Sequence, residues 1–418
     1  MKYKILVISH GHPDFRIGGG EKAAYWLYKG YNELADVEKA YFLSPSFREF
    51  NGRIIHYKDN EYFWNNRMTD FFFFRSEALI SHHNSKIMLE FLKTINPDIV
   101  HFHHYVHIGM ELIKFVKNIL PKSKILLTLH EFLPICYHNG QMVKKYDLSL
   151  CERSSLEECN ECFPDIKKEW FFLRKHKFMR IFDYVDAFIS PSYFLKSRFV
   201  EWGIPENRIH VIENGFPDFE KLTPRSIKEG EGRNVFGFFG QINIYKGLAV
   251  VLNGLIGLKK RDRKKIKLYI NGNSLQTLPE DVKNQIEKPL TELMNEGVAF
   301  HLGPYKGVKM QKERMKRIDW VIMPSIWWEN SPMIIQEAYG FGRPLLVSGI
   351  GGMAEKVIDG LTGFHIPVSD PIAWAEKMVE LADPENTHVW DELYNNLPRP
   401  PNYIEVAKKH IDLINYIL

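Results

Sequence analysis

The chain has 418 residues, 45% hydrophobic and 25% charged. That length suits two domains, each able to bury its own core, and the composition excludes a disordered chain. A net charge of +4 spread along the sequence argues against a nucleic-acid binder, and no run of about 18 apolar residues offers a membrane span.

The N-terminus, MKYKILVISHGHPDF, has too short an apolar stretch for a signal peptide, which predicts a cytoplasmic protein. KILVIS (4–9) reads as a buried parallel strand, followed by three glycines (18–20) and a helical pattern from Glu21. Strand patterns recur at Val37–Leu43, Asp98–Phe102, Lys124–Leu129, Ala187–Ser190 and Ile209–Ile212, with helical patterns between them. Residues 213–234, rich in Pro, Gly and charge, read as an interdomain linker. The same grammar then restarts, with strands at Val235–Phe239, Ile266–Ile270, Val298–His301, Trp320–Met323, Pro344–Val347 and Phe364–Ile366. Helices are predicted at 247–260, 308–317, 332–341 and 370–382. The prolines of LPRPPN break the chain before a last helix at 403–418. Alternating strand and helix predicts α/β architecture, two doubly wound domains. The expected bounds are 1–215, with a cysteine-bearing insertion at 136–162, then 216–400, then a terminal helix (401–418) packing back on the first domain. Ligands of such sheets bind at the carboxyl ends of the strands, so the expected site is a cleft between two facing domains.

Glu329 and Glu337 are separated by Asn330-Ser331-Pro332 and the start of a helical pattern. Pro332 suits a helix start, which places Glu329 in a loop and Glu337 inside the helix. Free backbone N–H groups at that start can meet an anion, and a carboxylate can accept from vicinal sugar hydroxyls.

PSIWWENSPMIIQEAYGFGRPLLVSGIGGMAEKVIDGLTGF resembles the donor domain of retaining glycosyltransferases of the family 4 type (glycosyl transferases group 1), which have the GT-B fold. GGGEKAA (18–24), NPDIVHFHH (96–104), TLHEF (128–132), the run 189–216 and FGQINIYKG (239–247) extend the resemblance over nearly the whole chain. The resemblance implies that Glu337 binds the donor ribose and that Glu329 lies by the donor sugar. The Asn330, Ser331, Pro332 and Met333 turn would meet sugar and diphosphate, with Gly240 and Ser325 in the wall and Lys246 neutralising the diphosphate. Gly18, Gly19 and Gly20 would close over the donor, and His130 would face its sugar. Gly351, Gly352 and Glu355 form a turn assigned equally to the site or to packing, and Asn214-Gly215 would end the first domain near the hinge. Transfer would be front-face and metal-independent, resting on positioning and on stabilising the departing diphosphate, with His130, Glu329 and Lys246 as the catalytic set. One departure stands out: Gln241 occupies the place of the usual Arg, which removes a charge and a fork of donors.

Cys136, Cys151, Cys159 and Cys162 have the spacing C-x14-C-x7-C-x2-C, open to structural zinc, an iron–sulfur cluster, disulfides or free thiols, with zinc favoured. His103 and His104, in HFHHYVH, are assigned weakly to the acceptor side. KKEWFFLRKHKFMRIF (167–182) fits either a helix lying on anionic lipid or one packed within its domain. FFFF (71–74) fits an apolar acceptor groove or core. The expected partners are a nucleotide-diphosphate sugar and a glycan or lipid-linked glycan, with peripheral contact at the inner face of the membrane and no nucleic acid. The competing readings are a weakened nucleotide-sugar or glycan-binding protein, or a GT-B epimerase or phosphorylase.

Overall fold

The computed structural model describes residues 2–15, 18–46, 53–65, 68–76 and 82–418. These divide into two compact units, Met1–Pro217 with Pro401–Leu418, and Asp218–Pro400.

The first unit is built on an eight-stranded sheet in the order Ile209–Val211, Ala187–Ser190, Lys124–Thr128, Ile99–Phe102, Tyr3–Ile8, Val37–Ser44, Glu61–Trp64, Ile54–Lys58. All neighbours are parallel except the last pair. Strands such as Ile99–Phe102 and Ala187–Ser190 are buried at every position. Such strands are covered on both faces, which is why they read as continuous apolar runs. The terminal helix Tyr403–Ile417 starts in a capping box made by Asn402 and Glu405. Its Val406, Ala407, Ile411 and Ile414 join Tyr28, Tyr31 and the strand residues Ile5 and Val7 in one core. Gly30, on the helix Gly19–Asn32, permits the close approach: a Cβ there would lie 2.6 Å from the Tyr403 carbonyl oxygen.

The second unit has a six-stranded, wholly parallel sheet ordered Ala299–His301, Lys267–Asn271, Val235–Phe239, Trp320–Met323, Leu345–Ser348, Gly363–Ile366. Apolar clusters cover its two faces. The segment read from sequence as a linker is tied down from Asp218 onward. Arg225 and Arg233 both pair with the fully buried Asp319, at 2.9 and 3.4 Å. The Val235 N–H and Trp390, whose indole reaches the Asp319 carbonyl at 2.7 Å, complete the knot.

In each sheet the first strand lies between strands reached in opposite directions. Tyr3–Ile8 sits between Ile99–Phe102 and Val37–Ser44, and Val235–Phe239 sits between Trp320–Met323 and Lys267–Asn271. The crevice outside the carboxyl ends of such strands is where open α/β sheets bind ligands.

Candidate functional site

In the second unit two loops leave that switch point, 240–247 after Phe239 and 324–332 after Met323. The Ile326 N–H donates to the Tyr245 carbonyl at 2.9 Å, joining them. Asn243 caps the single turn Ile244–Lys246, accepting from the N–H groups of Tyr245 and Lys246, both at 3.0 Å. Gly247 follows with φ +68°, and a Cβ there would lie 1.8 Å from the Pro324 oxygen, so only glycine lets the loops meet.

This framework delivers Lys246 to Glu329. Three donors converge on Glu329 Oε1: Lys246 Nζ at 2.5 Å, Trp327 Nε1 at 2.8 Å and Ser325 Oγ at 2.9 Å. Glu329 is buried, which alone would raise its pKa, but the Lys246 ammonium and the other two donors hold it below the usual carboxylate range. None of the three donors is on Oε2. Trp327 stacks on Tyr245 at 5.8 Å and lies 5.3 Å from the Lys246 ammonium.

Pro332 stands at the N-cap, one position before the helix Met333–Gly340, rather than in its first turn. Glu337, one turn into that helix, is buried and accepts from the equally buried Gln311 at 2.6 Å. Burial and the Glu337 carboxylate together raise the nearby Tyr305 phenol. Asn330, Ser331, Pro332 and Met333 are all partly exposed along the loop and helix start. Gln241 is exposed beside Gly240, whose φ is +146°.

The Gly351-Gly352 turn is part of this frame. Gly352 N–H donates to the Glu329 carbonyl at 2.7 Å, and a Cβ on Gly352 would lie 1.7 Å from the Asn330 oxygen. Gly352→Ala is therefore expected to push the 329–330 loop aside. It should cost about 1–3 kcal/mol, as overpacking does, and weaken donor binding in the same variant. Thermal melts with and without donor check this; unchanged donor affinity would show that the turn does not set the loop.

In the first unit the strand ends gather histidines. The helix begins at Gly19 with Gly18 as its cap, two residues earlier than Glu21 suggested. Gly20 faces His10 and His130: a Cβ there would be 3.3 Å from His10 Cε1 and 3.8 Å from His130 Cγ. His10 pairs with buried Glu21 at 3.1 Å. His130 Nε2 and His103 Nδ1 share a hydrogen at 3.0 Å, with the rings stacked. His103 and His104 are both buried, and His104 pairs with Glu131 at 3.1 Å. Burial, with the neighbouring His10, pushes His130 down to about 4, and His103 is held well below its ordinary value.

Sequence reasoning did not single out His10, His12 or Glu61. His12 and Glu61 are fully buried and 2.8 Å apart, with the Tyr25 hydroxyl on the other Glu61 oxygen at 3.0 Å. The readable signal was HGHPD directly after the first strand. Trp327 and Gln311, the partners of the two site carboxylates, were also missed.

The four cysteines lie on the segment containing the helix Leu156–Cys162. Burial and neighbouring thiols push Cys151 up to about 11 and Cys159 up to about 12, so both are neutral thiols near pH 7. Cys151 Sγ faces the Arg153 carbonyl at 3.2 Å. No group of three or more His, Cys, Asp or Glu among the described residues is arranged to hold a metal ion. All three other cysteines lie near enough to Cys159 to raise its thiol, so the four share one neighbourhood.

Residues 220–395 match the family described as Glycosyl transferases group 1, and residues 18–218 match Glycosyltransferase Family 4. The chain is 27% identical over 209 residues to a lipopolysaccharide 1,2-N-acetylglucosaminetransferase of Salmonella typhimurium, covering 48% of this chain and 54% of that protein. It is 24% identical over 203 residues to a D-inositol 3-phosphate glycosyltransferase of Corynebacterium efficiens, covering 44% and 45%. The chain thus spans about half the length of the curated relatives it matches. Among solved structures, Anabaena HepE in complex with UDP and glucose superposes with TM-score 0.66 at 14% identity, over 99% of this chain and 100% of that one. The sucrose-phosphate synthase of Thermosynechococcus elongatus gives 0.66 at 14%, over 100% and 99%. At such identity the likeness establishes the fold, GT-B.

Proposed function

Since the chain belongs to the group 1, family 4 type of glycosyltransferases, we propose that it moves a sugar from a nucleoside-diphosphate sugar to a glycan or lipid-linked glycan, with retention of configuration. The observation that carries this is the buried Glu329 carboxylate paired with the half-buried Lys246 at the switch point of the second sheet, beside the start of the Glu337 helix. Lys246 and the N–H groups at the helix start offer positive potential to a diphosphate, most valuable as the leaving oxygen gains charge. Glu337 takes the ribose hydroxyls, with Gln311 fixing one of its oxygens. Glu329, anchored through Oε1, offers Oε2 to a sugar hydroxyl. The family resemblance gives Gly18–Gly20 and His130, in the first unit, a role in holding the donor's sugar. A leaving-phosphate oxygen accepts the acceptor's proton, so neither a side-chain base nor a metal is assigned to the chemistry.

HepE, crystallised with UDP and glucose, makes UDP-hexoses the first donors to test. Thermal shift and hydrolysis across UDP-, GDP-, ADP- and dTDP-sugars is the experiment. One donor class should stabilise the chain, by about 2.7 kcal/mol at a hundredfold excess over its Kd, and should be turned over. No stabilisation by any of them would sink the reading. Gln241 favours a second one, binding without turnover, because the loop lacks the usual second cation; calorimetric binding with no hydrolysis or transfer would establish it.

A further inference from the structure

The helix Lys168–Phe182 turns the wrong residues outward for an ordinary surface helix. Trp170, Phe172 and Leu173 are each about half exposed, whereas Arg174 is buried. Arg174 donates to the carbonyls of Phe72 (2.9 Å), Leu133 (2.5 Å) and Pro134 (2.5 Å), which fastens the 71–74 turn to this helix. Phe73 meets Trp170 at 6.0 Å and Phe72 meets Phe171 at 5.8 Å, and Phe71 at the turn is 55% exposed. Two aromatic segments far apart in sequence thus form one surface. Phe73 and Phe74 are core, while Phe71 is displayed.

The same surface is basic. Lys167, Lys168, Lys175, Arg180 and Arg75 are exposed, and Glu169 is the only acid on the helix. Lys177 and Arg75 lie over the Phe73 ring at 4.9 and 5.3 Å, so the cations frame the aromatics rather than standing apart from them. A cavity of about 350 Å³ opens at this helix, walled by Tyr137, Phe172, Lys175, His176 and Trp202. Exposed large apolar side chains rimmed by cations mark an interaction face. Charge decides the occupant. A second copy meeting through this face would set its lysines against themselves, because a two-fold contact pairs a patch with itself. An anionic lipid surface complements both features, taking Trp and Phe at headgroup depth and the cations at the phosphates. No described helix is long and apolar enough to cross a membrane, so the contact is interfacial.

We propose that the face formed by Phe71, Trp170, Phe172 and Leu173, with Lys167, Lys168 and Lys175, docks on an anionic lipid bilayer. This stands independently of the sugar-transfer reading. The test is co-sedimentation of the full chain with vesicles of phosphatidylcholine alone or with added phosphatidylglycerol. Binding is expected only with phosphatidylglycerol, weakening about tenfold or more at high salt. Two variants, Trp170→Ser/Phe172→Ser and Lys167→Glu/Lys168→Glu/Lys175→Glu, should each bind at least about tenfold more weakly while keeping the parent's melting temperature and its donor hydrolysis in solution. The proposal is overturned by absent binding to phosphatidylglycerol vesicles at low salt. Equal binding by both variants overturns it too, as does a concentration-dependent dimer that the serine variant abolishes.

Discussion

Lys246→Met is expected to lower kcat/KM for sugar transfer by about 10²–10³-fold, the loss typical when one preorganised group facing developing charge is removed. The side chain touches two things in this reading, the diphosphate and Glu329, and stability and transfer report on them separately. Without Lys246 the Glu329 carboxylate keeps Trp327 and Ser325 but loses its counter-charge while still buried. Removing one partner of a fully buried pair costs about 3–5 kcal/mol. The Lys246 side chain is 25% exposed, so solvent reduces this to roughly 2 kcal/mol. Adding Glu329→Gln should recover most of that stability, because a neutral amide in the same place carries no unpaired charge. It should not recover transfer. The sign with pH agrees: the Glu329 pKa is lowered in the fold, so its contribution is present above the ordinary value of 4.5 and is lost as pH falls through the folded value. Denaturant melts and steady-state kinetics on the two single variants and the double check this. A double variant no more stable than Lys246→Met would remove the buried-pair account. A Lys246→Met enzyme with more than about a tenth of parental kcat/KM would remove the diphosphate role.

Why the second unit was legible follows from the kind of strand it uses. Val235–Phe239 and Trp320–Met323 are buried at every position, so each appears in sequence as an apolar run with a loop at its carboxyl end. The loops at the switch point then carry the glycines and the proline that their geometry requires. Elements without that contrast were missed. The hairpin Ile54–Lys58 and Glu61–Trp64 turns through Asp59, at φ +45°, and Asn60, and its first strand buries no residue. The helix Glu280–Asn295 carries Pro289 inside it, which reads as a break. Its buried Val282, Ile286, Leu290 and Leu293 nevertheless keep helical spacing. Partnerships were the least legible. Gln311 lies 26 residues from Glu337, and nothing local marks it as that carboxylate's donor. The cysteine spacing likewise carries no thiol direction, which is set by tertiary contacts such as that of Cys151 with the Arg153 carbonyl.

The first unit should lose stability steeply as pH falls from about 6.5 towards 4. His410, on the terminal helix, is buried beside Tyr31 and His101, and burial pushes it down to about 4 from an ordinary 6.5, although the Val406 carbonyl accepts from Nδ1 at 2.9 Å. His101 is held well below its ordinary value by burial between the Tyr31 hydroxyl and Thr128 Oγ1, at 3.1 and 2.7 Å. His103 behaves likewise, while His130 is partly open to solvent and contributes less. In the unfolded chain these rings bind protons near pH 6.5; in the fold they do not until much lower. The unfolded state therefore holds more protons throughout the window, so stability rises with pH across it and falls on acidification. His410 alone accounts for roughly 3 kcal/mol by pH 4. The rings adjoin one another, so their contributions will not simply add. Urea melts from pH 7.5 to 4.5 should show the fall, with a slope near 1.4 kcal/mol per pH unit for each ring. His410→Gln, which can donate to the Val406 carbonyl but cannot ionise, should lower that slope by about one ring's worth. A flat profile in the parent, or the same slope in His410→Gln, would refute the histidine account. The effect reaches the site, because His103 and His130 share one hydrogen between two neutral rings. Protonating both would leave two N–H groups facing each other. In the fold His130 takes a proton only near pH 4 and His103 is held well below its ordinary value, so the acid limb of activity should track the loss of folded protein in the urea melts rather than precede it.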